Sequence, residues 1–235
     1  MMMSRIIRPV LEMGVAQRTR IKICGITREE DLQVVVEAGA DAVGFVFYPQ
    51  SPRFVDADRA AHLLAGLPPF VTSVGLFVNV EPSFVESVVE RAPIQVLQFH
   101  GDESVETCQM IAERVKRPFM RAFRVKPDTI APDLLEYEAS YRANSSLFQG
   151  LLLDTFVDSF GGSGKVFDWS LIPKELAPRV VLSGGLSVQN ATDAVRQVRP
   201  FAVDISSGVE LSKGIKDPAK VHAFIDAVRV GDLTS

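Results

Sequence analysis

Eight short apolar runs recur along the chain, and each is followed by a segment of helical character. The runs are Arg20–Cys24, Ala42–Phe47, Thr72–Val78, Gln95–Phe99, Phe119–Val125, Leu151–Leu153, Val180–Leu182 and Ala202–Ile205. Several are apolar without a break. That pattern marks strands buried on both faces, as in a parallel sheet, rather than the alternating pattern of a half-exposed one. Thr27 caps the first expected helix, with Glu29 and Glu30 in its opening turn, and Gly39 closes it. Further helices are expected over Asp56–Ala65, Glu81–Arg91, Glu103–Arg114, Asp128–Arg142, Val188–Val198 and Pro218–Val228, with a weak one around Trp169–Glu175. A doubly wound open sheet shares this local alternation. Eight strand–helix units in about 210 residues instead give an α/β protein, a single-domain (β/α)8 TIM barrel near the short end of its usual length.

No Ser-, Gly- or Pro-rich linker divides the chain of 235 residues, so residues 20–235 are expected to form one domain. Residues 1–19 are expected to be a poorly ordered N-terminal extension, with Met13 a second candidate start. Its apolar runs are interrupted by Pro9 and Glu12, unlike a secretory leader, although its arginines suit an organellar transit peptide as well as a simple extension. A net charge of −4 gives no basic surface for nucleic acid. No run approaches the ~18 apolar residues of a membrane span. Cys24 and Cys108 form neither a disulfide framework nor a metal spacing, so a reducing cytoplasm is expected, without metal or cofactor.

In a barrel of this kind the chemistry lies at the C-terminal strand ends. There the chain offers Cys24, Ser51-Pro52-Arg53, His100, Asp154 and Asp204. Each alone has a structural explanation: a small buried thiol, a solvated arginine, a satisfied histidine, a strand-end carboxylate capping a turn. Their shared rim is the stronger signal. The last three strands each lead into a small-residue loop, Gly161-Gly162-Ser163-Gly164, Ser183-Gly184-Gly185 and Ser206-Ser207-Gly208. Glycine lets backbone N–H groups close on an anion, and late loops are the recurrent phosphate site of this fold. Ser159 and Val166 stand where a Walker loop requires Gly and Ser or Thr, so the first loop is not of that type.

From Arg20 to Val228 the chain resembles the phosphoribosylanthranilate isomerase family of tryptophan biosynthesis. The resemblance is carried in order by Lys22-Ile23-Cys24-Gly25-Ile26-Thr27, Gly44-Phe45-Val46-Phe47 with Ser51-Pro52-Arg53, Gly75-Leu76-Phe77-Val78-Asn79 and Leu97-Gln98-Phe99-His100-Gly101. It continues through Leu152-Leu153-Asp154-Thr155, Gly161–Gly164 with Phe167-Asp168-Trp169, Leu182–Leu186 and Asp204–Glu210. Lys213 stands where the family usually has proline, a departure expected to touch only a surface turn.

The resemblance implies an Amadori rearrangement of N-(5'-phosphoribosyl)anthranilate, with Asp154 the general acid and Cys24 the general base. Such chemistry needs an acid for the ring oxygen, a base for the C2 proton and a clamp for the phosphate. The resemblance further implies Arg53 on the anthranilate carboxylate through its planar fork, and His100 and Asp204 as substrate contacts. Gly162, Ser163, Gly164, Gly184, Gly185, Ser206, Ser207 and Gly208 would bind phosphate. The partner is then a small phosphorylated substrate, and the enzyme a monomer or homodimer. Cys108 and the helical His62 and His222 are given no chemical role.

An indole-glycerol-phosphate synthase would need a lysine on strand two or three, where Phe45, Phe47 and Val78 occupy the expected inward ends. A metal-dependent epimerase would need more histidine ligands than His100. The histidine-pathway Amadori substrate would call for a second set of phosphate loops. A non-catalytic phospho-metabolite sensor is the remaining alternative, and it has no need for Cys24 and Asp154 together.

Overall fold

The computed structural model describes residues 18–155 and 166–233. Eight parallel strands close on themselves in chain order: β1 Arg20–Cys24, β2 Ala42–Val46, β3 Thr72–Phe77, β4 Val96–Phe99, β5 Phe119–Val125, β6 Phe148–Thr155, β7 Val181–Leu182 and β8 Ala202–Ile205. Closure is direct, since β8 pairs β1 with Arg20 opposite Ala202 and Lys22 opposite Asp204. Helices α1 Glu29–Glu37, α2 Ala57–Leu64, α3 Pro82–Arg91, α4 Val105–Val115, α5 Ala131–Asn144, α6 Ala191–Val198 and α7 Pro218–Leu233 surround the sheet. Between β6 and β7 there is no α-helix among the described residues. The weak Trp169–Glu175 segment is instead a 3-10 turn over Trp169–Leu171, capped by Asp168, followed by another at Ala177–Arg179. A short hairpin, β9 Glu210–Ser212 with β10 Ile215–Lys216, follows β8.

Side chains alternate between the faces of a strand, so each strand feeds two different cores. Outward positions meet the helices in one continuous layer, where Phe47 stacks on Phe77 with ring centroids 5.2 Å apart. Burying a side chain of that size contributes about 1.5–3 kcal/mol. Inward positions near the bottom form a separate small cluster of Ala122, Leu152, Val181 and Ala202. The expected inward placement of Phe45 and Phe47 is therefore corrected. Both pack in the outer layer, and Val46 and Tyr48 take the inner face. A one-residue slip exchanges the faces of a strand, which is why an unbroken apolar run conceals its own orientation.

At two of the helix starts that differ from expectation, polar side chains are used across loops. Thr27 does not cap α1; its hydroxyl donates to the Gly214 carbonyl at 2.7 Å. Glu103 precedes α4, accepting the Asn79 and Gly101 amides at 2.7 and 3.0 Å, while Ser104 caps the helix. Asp56 caps α2 as its position suggests, accepting from the Arg59 amide at 2.7 Å. Residues 1–17 of the expected extension lie outside the described residues. Thr19 is tied to the barrel, its amide and hydroxyl donating to Asp232 at 3.0 and 2.8 Å. Among the described residues, no helix is long and apolar enough to cross a membrane.

Candidate active site

The mouth of the barrel opens into a cavity of about 130 Å³ at the C-terminal strand ends. Cys24, Arg53, His100, Asp154, Asp204, Gly184, Gly185, Ser206, Ser207 and Gly208 all line it. The structure thus brings together every expected site residue that it describes. Gly162, Ser163 and Gly164 lie outside the described residues.

Asp154 is the penultimate residue of β6. Its Oδ2 is 3.1 Å from Nε2 of His100, just past the end of β4. Behind the imidazole, Gln98 Nε2 approaches His100 Nδ1 at 3.0 Å. With the amide nitrogen facing Nδ1, the proton of a neutral ring sits on Nε2 and is donated to Asp154. Gln98 is wholly buried and its Oε1 has no partner among the described residues. The hydroxyl of Thr155, beside Asp154 and on the cavity wall, is likewise buried and without a partner among the described residues. An unmet polar atom facing a cavity is a place where a ligand gains a hydrogen bond that folding did not supply.

Cys24 ends β1 on the same inner face and is almost fully buried. Burial pushes its thiol above the ordinary value, and the Asp204 carboxylate adds to that; the nearby Lys22 and Lys216 ammonium groups oppose it without reversing it. The neutral thiol is therefore the resting form at neutral pH. Cys108 is fully buried in α4, and burial pushes its thiol up to about 12, so it is a packing residue with no accessible thiolate chemistry.

Lys22, Gln98, Glu210 and Lys216 join the site without having been marked as candidates in the sequence. Lys22 Nζ lies 2.7 Å from Asp204 Oδ1, both side chains buried. Lys216 Nζ donates to the Cys24 carbonyl at 2.6 Å and to Glu210 at 3.0 Å. Arg53 grips the same Glu210 from both sides of its fork, through Nε at 2.7 Å and Nη2 at 2.8 Å. Its Nη1 makes no hydrogen bond among the described residues. Burial alone would raise the Glu210 pKa, but the hydrogen bonds from Arg53 and the charge of Lys216 hold it below the usual carboxylate value. Lys213 is exposed, yet Gly214 beside it is buried, and three residues on Lys216 is buried under Cys24. Strand alternation is the signal that finds two of these groups. Lys22 and Gln98 each stand two residues before a rim residue, Cys24 and His100, and so share its face.

Across the mouth from β3 and β4 lie the loops after β7 and β8. The amides of Gly184, Gly185, Ser207 and Gly208 have no acceptor among the described residues. Gly184 has φ +80°, and a Cβ there would stand 2.3 Å from the Thr155 nitrogen and 2.7 Å from Asp154 Oδ1. Only glycine fits both that conformation and that approach. Several free N–H groups converging on one cavity wall form an anion cradle.

The sequence pattern of the N-(5'phosphoribosyl)anthranilate (PRA) isomerase family matches residues 21–227. An N-(5'-phosphoribosyl)anthranilate isomerase from Herminiimonas arsenicoxydans is 68% identical over 215 residues, covering 92% of this chain and 95% of that protein. A crystal structure of phosphoribosyl anthranilate isomerase from Thermotoga maritima matches with TM-score 0.78 and 44% identity, over 90% of this chain and 98% of that one. A crystal structure of phosphoribosyl anthranilate isomerase in complex with reduced 1-(o-carboxyphenylamino)-1-deoxyribulose 5-phosphate matches with TM-score 0.76 and 42% identity, over 90% and 98% of the two chains.

Proposed function

This chain belongs to the N-(5'-phosphoribosyl)anthranilate isomerase family and catalyses that isomerisation in tryptophan biosynthesis, and from this premise we propose that Asp154 and Cys24 carry its two proton transfers. The observation that supports the assignment is the convergence on one cavity of an acid, a thiol and four amides without an acceptor among the described residues.

Asp154, with Oδ2 held by His100, protonates the furanose ring oxygen from its other oxygen as the C1–O bond breaks. The anilino nitrogen supplies the electron pair, giving an open-chain protonated imine. The Cys24 thiolate then removes the C2 proton, and the electrons of that C–H bond form the C1–C2 double bond of an enolamine. Tautomerisation gives the aminoketose 1-(2-carboxyphenylamino)-1-deoxyribulose 5-phosphate. Acid and base come from strands at different parts of the wall, so each can reach its own atom of a substrate held at both ends.

Holding at one end falls to the amides of Gly184, Gly185, Ser207 and Gly208, joined by Gly162, Ser163, Gly164 and Ser206, which receive the phosphate. At the other end, Nη1 of Arg53 is the donor available to the anthranilate carboxylate. Glu210 fixes the plane of that guanidinium, so Arg53 presents a single aimed N–H rather than the whole fork. Asp204 and His100 are placed to meet the sugar. The need for a free thiol at Cys24 is met in a reducing cytoplasm, where we place the enzyme.

Turnover of freshly prepared phosphoribosylanthranilate, followed by its loss of fluorescence without added metal or cofactor, tests the assignment. Asp154→Asn should lower kcat by about 10²–10⁴, the usual contribution of a general acid, with product-analogue affinity within several-fold of wild type. Cys24→Ser, similar in size but a far poorer base, should collapse the rate as well. Wild-type turnover in either variant removes that residue from its role.

A further inference from the structure

The base assigned above faces a physical difficulty: its resting form is a neutral thiol, because burial disfavours the thiolate. Some group must hold the negative charge during proton abstraction. The charged groups around Cys24 come from several elements: Lys22 on β1, Asp204 on β8, Lys216 on β10, Arg53 after β2 and Glu210 on β9. Three are cations, and their geometry separates them. Lys216 Nζ is spent on the carbonyl of Cys24, on Ser206 and on Glu210. Arg53 is gripped by Glu210. Lys22 alone among them has its ammonium on the side-chain side of Cys24, in the space left beside Gly44, and its charge lowers the thiol's pKa.

Strand geometry explains that proximity. Lys22 and Cys24 are two residues apart on β1, hence on the same inner face. Opposite Cys24 in register stands Gly44 of β2. A Cβ at Gly44 would lie 2.7 Å from the Cys24 sulfur and 3.1 Å from Lys22 Nζ, so the space left by one missing methyl is bordered by both the sulfur and the ammonium. Lys22 is not on the cavity wall, and the groups it reaches, Cys24 and Asp204, both are.

We propose that Lys22 is a positioning residue for the isomerisation: its buried ammonium holds the negative charge of the Cys24 thiolate, and Asp204 is the counter-ion that keeps it charged while the thiol is neutral. The inference rests on Cys24 being the base. In the resting state the ammonium is balanced by Asp204 at 2.7 Å. When Cys24 ionises, the same ammonium faces two anions at once, so Asp204 makes the thiolate costlier while Lys22 makes it cheaper. Burial by itself disfavours the Lys22 charge, but Asp204 and then Cys24 overcome this and hold its pKa above the ordinary value.

A merely structural ion pair and a charge-holding one predict different titrations. Thiolate formation is read from the rise in far-ultraviolet absorbance between neutral and alkaline pH, with Cys24→Ser subtracted to remove Cys108 and tyrosine. Lys22→Met should move the Cys24 midpoint up by about one pH unit or more, and Asp204→Asn should move it down, the scale on which a neighbouring charge acts. The pH at which kcat reaches half its maximum should follow both changes. Near neutral pH, Lys22→Met should then lose about tenfold in kcat for every pH unit by which the midpoint rises.

If Lys22→Met does not fold because Asp204 is left unpaired, the double variant Lys22→Met/Asp204→Asn removes both charges. Its midpoint should lie above that of Asp204→Asn alone, since that comparison removes only the ammonium, whose charge lowers the thiol's pKa. An unmoved midpoint without Lys22, or movement in the same direction in the two single variants, overturns the proposal even where Cys24→Ser is inactive. Full activity of Cys24→Ser overturns the base assignment instead, whatever the titration shows.

Discussion

Replacing Arg121 with Met should cost this protein a large share of its stability, although Arg121 is nowhere near the substrate. The guanidinium, on the outer face of β5, is almost fully buried. It donates to the Phe99 and Gly101 carbonyls at 3.0 and 2.9 Å, to the Tyr137 and Tyr141 hydroxyls at 3.0 Å each, and to Glu103 at 3.2 Å. Its two carbonyl acceptors bracket His100, so the residue clamps the chain that presents the histidine to Asp154. Methionine refills much of the volume but leaves the Glu103 carboxylate without its cation, with a side chain only 2% exposed. Breaking a buried pair from one side costs about 3–5 kcal/mol, against a total of about 5–15 kcal/mol for a typical domain. In a chain of this length that corresponds to a Tm lower by roughly 6–20 °C. Urea unfolding of wild type, Arg121→Met and Arg121→Met/Glu103→Gln measures the cost, and the double variant should recover part of it by neutralising the stranded acid. The kcat of the single variant should also fall, because His100 loses its anchor. A loss below about 1 kcal/mol, the scale of an ordinary hydrogen bond, would refute the reasoning, as would a double variant weaker than the single one.

Gly184→Ala should raise the inhibition constant for inorganic phosphate more than tenfold and lower kcat, since the new methyl meets both the Thr155 nitrogen and Asp154; competitive inhibition at unchanged values would dismiss the cradle. Gln98→Leu should lower kcat, because Gln98 orients His100, as well as raise KM, because its Oε1 is left for a ligand; steady-state kinetics that show a pure KM effect would contradict the orienting role. Glu210 is held below its ordinary carboxylate value, so its contribution to stability is complete above the unfolded value near 4.5 and is lost as pH falls through the lower folded value. Glu210→Gln should therefore flatten the acid limb of a stability-against-pH curve below about that pH, and an unchanged slope would place the acid sensitivity elsewhere.

The order of elements was legible from the chain alone, because eight doubly buried strands and their helices are spaced too closely for anything but a short barrel. The rim chemistry was legible for a related reason: a barrel puts every strand's C-terminal end at one mouth, so Cys24, His100, Asp154 and Asp204 could be placed together without coordinates. The cap expected at Thr27 failed because its hydroxyl is spent on another loop, and Glu103, expected to open a helix, likewise serves another loop.

What lay beyond the sequence was the set of partners. An unbroken apolar strand does not show which residues face in, so Val46 rather than Phe47 on the cavity wall was decided by register in the closed sheet. Lys22 against Asp204 spans 182 residues, Cys24 against Lys216 spans 192, and Arg53 against Glu210 spans 157. Each pair is formed where β1 meets β8 or where the chain returns after β8 to the start of the barrel. A lysine in a strand reads as ordinary until closure carries it out of water beside a carboxylate and a thiol. The chain by itself determined which chemical groups reach the mouth; only the closure of the sheet decided which charge stands beside which, because electrostatics inside a barrel depends on distances that sequence separation does not record.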